Sequence, residues 1–147
     1  MDSRYHIIKN SLEFQIKEHL AQKGREDVDV LSVPRQNIQM FPAVSVELVN
    51  RTLPKVALGV EELRLQFNVW VYVKIIDPIE AEQEGLKLVD IVEEAIVKDK
   101  TLNGMVDYLT IEEESEINFV SQTDGMFLHS SRIPLLITKN IYKQNGG

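Results

Sequence analysis

ELRLQFNVWVYVKII, the stretch at positions 62–76, decides the fold of this chain. Every second side chain in it is apolar, and a period of two places those side chains on one face of a pleated strand. They are Leu63, Leu65, Phe67, Val69, Val71, Val73 and Ile75. At about 3.3 Å per residue the strand would extend roughly 45 Å, which is long enough for one end to protrude as a hairpin arm. We predict that it is the central strand of an antiparallel sheet.

The opposite face of this strand is not wholly polar, because Trp70, Tyr72 and Ile76 lie on it. One interpretation is that a helix, a loop or cross-strand neighbours cover these side chains. The other is that they form a partner surface, since aromatic residues are enriched at the cores of interfaces. The sequence leaves both interpretations open.

The bulk properties favour one soluble domain that is made in a cytoplasm. A chain of 147 residues fits a single domain over positions 1–147. The absence of cysteine excludes disulfides, zinc–thiolate sites and cysteine nucleophiles. The N-terminus lacks the apolar core of a signal peptide, and no apolar run approaches the roughly 20 residues of a membrane helix. The net charge of −7 disfavours binding to the phosphates of nucleic acids.

The first of two predicted helices begins at a cap, Asp2 or Ser3, and ends before Gly24. Apolar residues at helical spacing form its inward stripe: Tyr5, Ile8, Leu12, Ile16 and Leu20. Ile7 and Phe14 fall on roughly the opposite side. They are either ordinary exposed apolar residues or part of a subunit contact.

The second predicted helix begins near Pro78, a residue that the first turn of a helix accepts. Its inward stripe is Ala81, Gly85, Leu88, Val89, Val92, Ala95 and Ile96. Gly85 costs about 1 kcal/mol relative to alanine inside a helix. Its presence in the stripe therefore indicates a close approach of helix to sheet.

Shorter alternating runs predict the other strands, at 28–32, 38–49, 105–111, 117–120 and 126–139, with a long hairpin loop at 50–59. Pro34 ends the first of these strands, Thr123, Asp124 and Gly125 predict a tight turn, and Tyr142 to Gly147 form a loose tail. In the last strand the apolar residues change from even-numbered to odd-numbered positions, which predicts a bulge near Ser130 and Ser131. Pro134 predicts an edge position or a bulge. The predicted fold class is α+β, with a single antiparallel sheet of about four to six strands. Both helices pack on one face of this sheet.

No group of residues in the sequence has the spacing of a catalytic or metal site. His6, His19 and His129 lack ligand spacing. His129 and Ser130 are neighbours in a predicted strand and therefore point to opposite faces, so they cannot readily meet as base and nucleophile. There is no glycine-rich phosphate loop. We expect no enzyme activity, no metal and no cofactor.

The order of the predicted elements resembles that of the tail terminator proteins of long-tailed bacteriophages, also called tail completion or head–tail joining proteins. The motifs that carry the resemblance are FPAVSV at 41–46, the alternating strand at 63–75, the helix at 86–96, TLNG at 101–104 and IPLLIT at 133–138. Together they cover nearly the whole chain. Members of the family often have two glycines where this chain has Asn103 and Gly104, which is a mild departure.

The resemblance implies a structural virion protein rather than an enzyme. Family members form a homo-oligomeric ring, commonly a hexamer, that caps the head-proximal end of the tail tube, stops tube polymerisation and offers a surface for head or neck attachment. The implied partners are further copies of the chain, the tail tube protein and a neck or head-completion protein. DNA would pass through the lumen without specific binding, and no membrane is involved. The implied location is the virion tail, and the host cytoplasm during assembly.

Two sets of residues are candidate sites for such an assembly. Ile7, Phe14, Trp70 and Tyr72 are the candidates for a subunit interface. The acidic run between two predicted strands, Glu112, Glu113, Glu114 and Glu116, is either a solvated outer loop, a docking arm for a neck protein, or a lumen loop that would repel DNA phosphates. Two other functions stay open: another phage neck or tail-tube component, and a small-molecule-binding α+β domain.

Overall fold

A computed structural model describes residues 3–31 and 40–142, without the side chain of Thr123. The predicted cap at Asp2, the strand end at Pro34, the strand start at 38 and residues 143–147 of the predicted tail lie outside the described residues. Tyr142, which was predicted as part of the tail, is instead the last residue of the final strand. The elements in chain order are α1 (Arg4–Gln22), β1 (Asp29–Leu31), β2 (Ala43–Thr52), β3 (Lys55–Ala57), β4 (Val60–Ile75), α2 (Pro78–Val97), β5 (Tyr108–Ile111), β6 (Glu116–Thr123) and β7 (Met126–Tyr142).

The strands form one sheet of seven strands in the order β1-β2-β4-β7-β5, with β3 paired to β4 and β6 paired to β7. The α+β class is confirmed, and β4 is central as predicted. The predicted number of four to six strands is wrong, and so is the predicted purely antiparallel pairing, because the sheet has seven strands and one parallel pair. The additional strand, β3, lies within the stretch predicted as a loop and pairs with β4. β1 runs parallel to β2, so the sheet is mixed.

Both helices pack on one face of the sheet, as the inward stripes predict. One continuous apolar core joins buried residues of α1 and α2 to the odd-numbered side chains of β4. Ser3 caps α1 by accepting a hydrogen bond from the backbone of His6, and Asp77 caps α2. Every predicted inward residue of α2 is buried, and Phe67 at the centre of β4 is only 1% exposed. Local periodicity thus places the core correctly.

The predicted bulge in the last strand is wrong. β7 pairs with β4 without a register shift from Phe127 to Tyr142. His129 and Ser131 occupy positions on the helix-facing side and are buried, at 0% and 1% exposure. The apolar residues change from even-numbered to odd-numbered positions because two polar residues occupy core positions, and not because the register shifts by one residue. The Ser131 hydroxyl donates to the carbonyl of Ile117 at 2.5 Å, which allows its burial.

Pro134 lies in an interior strand, which contradicts the predicted edge or bulge position. β7 has β4 on one side, and on the other side β5 and β6 follow one another along it. Pro134 falls between the residues of β7 that pair with β5 and those that pair with β6, and its carbonyl accepts from the backbone of Glu112 at 2.9 Å. The residue that lacks an N–H therefore sits where the neighbouring strand is interrupted. The sheet loses no hydrogen bond there.

Candidate assembly surfaces

The helix-free face of the sheet, here called the open face, carries an aromatic pair on β4. The Trp70 and Tyr72 rings stack with centroids 6.2 Å apart and planes inclined by 8°. Trp70 is half-buried and its Nε1 donates to Oε1 of Glu47 on β2 at 3.4 Å. Tyr72 is 6% exposed. Within the chain, Trp70 therefore offers more surface to a partner than Tyr72 does.

The outer side of α1 carries the other two predicted interface residues. Ile7 is 41% exposed and Phe14 is 65% exposed. They line a groove of about 690 Å³ between α1 and the turn that follows α2, together with Leu102 and Met105. Gln15 fixes this turn to the helix, since its Nε2 donates to the carbonyl of Asp99 at 3.2 Å. We call this the α1 groove.

The structure thus divides the four predicted interface residues between two surfaces. Ile7 and Phe14 lie on the outer side of the helix layer, whereas Trp70 and Tyr72 lie on the open face. The core, which both layers share, separates the two pairs. The sequence placed Trp70 and Tyr72 opposite the core-facing residues of β4, and Ile7 and Phe14 opposite the stripe of α1. It could not show that these are the two opposite sides of the molecule.

The acidic run approaches the open face. Oε1 of Glu112 accepts from Nε2 of Gln66 on β4 at 3.4 Å. Oε1 of Glu116, the first residue of β6, lies 3.8 Å from Nη2 of Arg132 on β7. Gln66 and Arg132 both have open-face positions, because Arg132 pairs with Trp70 and Gln66 is four residues before Trp70 in β4. Glu113 and Glu114 are exposed in the connection between β5 and β6.

A further surface, which the candidate residues did not include, is the hairpin formed by residues 49–60, here called the arm. Three of its apolar side chains are exposed: Val49 at 52%, Val56 at 48% and Leu58 at 103%. Leu58 and Gly59 form the turn between β3 and β4, with Gly59 at φ 73°. A leucine in a two-residue turn is the signal that could have identified this surface from sequence, because polar residues and glycine dominate turns.

Two of the three histidines, His19 and His129, are buried. His129 is buried against α2, and its Nε2 lies 3.1 Å from Oδ1 of Asn118. Burial lowers the pKa of His129, and the Glu82 carboxylate only partly opposes this effect. His19 lies beside Glu94 at 3.3 Å. Among residues 3–31 and 40–142, no group of three acidic, histidine or cysteine side chains is placed to hold a metal ion.

Neither described helix has the length and hydropathy of a membrane-spanning segment. No family model and no curated protein matches the chain.

Proposed function

We propose that this chain is a structural virion protein that caps the head-proximal end of a phage tail tube as a ring, stops tube polymerisation and provides the surface for head or neck attachment. The observation that carries the proposal is the pair of apolar surfaces on opposite sides of the molecule. A head-to-tail contact joins two different surfaces of identical subunits. The exposed side of α1 and the open face supply two such surfaces. A closed arrangement of these contacts is a ring, and an open one is a filament.

Two surfaces of each subunit would contribute to the proposed subunit contacts: the outer side of α1 with Ile7 and Phe14, and the open face with Trp70 and a smaller part of Tyr72. A stable contact needs about 800 Å² of buried surface per partner. Phe119, 62% exposed on β6, extends the apolar part of the open face, because it pairs with Ser130 beside Tyr72. The other partners of the ring would be the tail tube protein and a neck or head-completion protein.

The acidic run supports a lumen position in such a ring. Glu112 and Glu116 lie towards the open face, and Glu113 and Glu114 are exposed beside them. A basic lumen would hold the phosphates of passing DNA, whereas an acidic belt repels them. We therefore place this loop at the channel or its rim. DNA passes it without specific binding.

A second candidate function is a small-molecule-binding domain, which the size of the α1 groove favours. Its volume of about 690 Å³ falls within the range of roughly 300–1,000 Å³ that is typical of ligand pockets. In that case a bound small molecule would cover the groove of the monomer. The ring proposal requires instead that another protein surface covers Ile7 and Phe14.

Electron microscopy of tails assembled with and without this protein tests the proposal. We expect overlong tubes when the gene is deleted and tubes of uniform length when the protein is supplied again. If tubes are absent after deletion, the chain is a tube component. If the tubes keep their normal length and join heads normally, the proposed function is wrong.

A further inference from the structure

The tip of the arm has a composition that the fold of a single chain does not require. Leu58 is 103% exposed at the turn between β3 and β4. A polar residue would serve this turn equally well, because the conformation depends on Gly59 and not on the leucine. Exposed apolar residues on a projecting strand edge are also an aggregation hazard that proteins usually avoid. An apolar tip of this kind is therefore suited to insertion into another surface.

The α1 groove has the shape and the lining to receive such a tip. Ile7, Phe14 and Met105 give it apolar walls. The groove cannot be filled by the arm of the same chain, since Leu58 is fully exposed. The base of the arm reaches only the start of α1, where Arg51 Nη1 donates to the Tyr5 hydroxyl at 3.3 Å.

The charges of the two surfaces are complementary. The arm contains two cations, Arg51 and Lys55, and no acidic residue, although the whole chain has a net charge of −7. The α1 groove has Glu18 and Asp99 at its rim. Hydrogen bonds from Thr101 and Asn103 keep the pKa of Asp99 below its ordinary value, so its carboxylate stays charged.

One cation, Lys98, lines the groove with these two carboxylates, so the three residues together carry a net charge of −1. Lys98 donates from Nζ to Oε1 of Gln22 at 2.6 Å. The acidic residues next to the arm are paired or covered, since Glu62 pairs with Arg64 and Glu61 is 8% exposed. A cationic, apolar arm and an acidic, apolar groove remain as the complementary pair.

We propose that the arm of one copy docks into the α1 groove of the next copy, with Leu58 against Phe14 and Ile7. This inference rests on the proposed ring, and it names the segment that covers the outer side of α1. The arm and the groove are different surfaces, so the contact is head-to-tail and repeats from subunit to subunit. Lys55 would lie near Glu18 at the rim of the groove.

Cysteine cross-linking of the full chain tests this contact, because the sequence contains no cysteine that would interfere. The double variant Leu58→Cys/Phe14→Cys is oxidised mildly at the highest soluble concentration. We expect a ladder of covalent multimers that ends at the ring size. Each single variant should give a dimer at most. The matched control is Leu58→Cys/Ile76→Cys, since Ile76 is 73% exposed and lies outside the groove.

A ladder from the test pair that is no longer than that of the control pair would overturn the inference. A charge exchange provides a second measurement: Lys55→Glu should weaken self-association at least tenfold, and Lys55→Glu/Glu18→Lys should restore it. If Lys55→Glu changes nothing, or if the double variant is as weak as the single one, the arm does not dock beside Glu18.

The outcomes separate this inference from the proposed function. If tails without the protein are overlong but the test pair gives no ladder, the ring function stands and the docking of the arm is wrong. If the ladder forms but tail length is unaffected by deletion, the chain self-associates through the arm and its proposed role in the tail is wrong.

Discussion

At the scale of the residue, the close approach of helix to sheet that Gly85 predicted is its contact with His129. A Cβ atom at position 85 would lie 1.9 Å from Nδ1 of His129. The two residues are 44 positions apart in the chain, and the glycine accommodates the imidazole beneath α2. The predicted close approach of helix to sheet is confirmed, and the histidine is what approaches.

The variant Gly85→Ala tests this contact. Alanine favours the helix by about 1 kcal/mol, but the added methyl group overpacks a site that is already full, which typically costs about 1–3 kcal/mol. We expect a net loss of stability in urea unfolding. The double variant Gly85→Ala/His129→Ala should lose less than the sum of the two single variants, while Gln83→Ala on the exposed side of α2 should be harmless. A Gly85→Ala protein as stable as the parent would contradict the observed packing.

The buried His129 also predicts a pH dependence of stability. Burial lowers its pKa in the folded state, whereas the unfolded chain titrates near its ordinary value of about 6.5. Between these two pKa values the unfolded state binds more protons, so the free energy of unfolding falls as the pH drops through about 6.5. Urea titrations at pH 7.5 and 5.5 should show this loss, and His129→Gln should reduce it. An equal loss in both proteins would assign the effect to other groups.

At the scale of secondary structure, α1 combines a buried stripe with an exposed apolar side. Ile8, Leu12, Ile16 and Leu20 are at most 2% exposed, whereas Phe14 is 65% exposed. Removal of Phe14 should therefore affect assembly far more than folding.

We expect Phe14→Asp to leave the urea midpoint nearly unchanged, since surface substitutions usually alter stability by no more than about 0.5 kcal/mol. The same variant should abolish self-association in sedimentation velocity, because it places a charge in the proposed contact. Ile79→Asp is the control, at a residue that is 69% exposed on α2, and it should assemble normally. Assembly of Phe14→Asp at parental affinity would remove α1 from the interface.

At the scale of the whole molecule, both helices lie on one face of the sheet and leave the other face open, which would set the orientation of the subunit in the proposed ring. The acidic run and Trp70 both lie at the open face. The orientation of the subunit that buries Trp70 in a subunit contact would therefore also determine the distance of Glu113 and Glu114 from the channel.

Cryo-electron microscopy of assembled tails should place the acidic run at the channel wall or its rim, within about 8 Å, the screening length at physiological salt. Replacement of Glu112, Glu113, Glu114 and Glu116 by glutamine should leave the ring intact and slow DNA passage, because less charge repels the phosphates. A loop on the outer circumference, beyond that distance from the channel, would refute the lumen position.

The sequence alone determined what depends on near neighbours in the chain. The stripes of α1 and α2, the alternation of β4 and the tight turn at Asp124 and Gly125 follow from side-chain periodicity and from backbone preference, which act over a few residues. Those predictions are confirmed, and Asp124 and Gly125 both have positive φ, at 52° and 74°. The exposure of Ile7 and Phe14 follows from the same periodicity.

Tertiary structure alone decided what depends on distant partners. His129 and Ser131 are buried because Asn118 and the carbonyl of Ile117 lie next to them in the neighbouring strand. Periodicity alone cannot distinguish a polar residue in a core position from a shift of the strand by one residue. Pro134 is interior because two strands meet beside it. The division of the candidate interface into two opposite surfaces has the same origin: periodicity assigns a residue to one face of its own element, and only packing decides which faces meet.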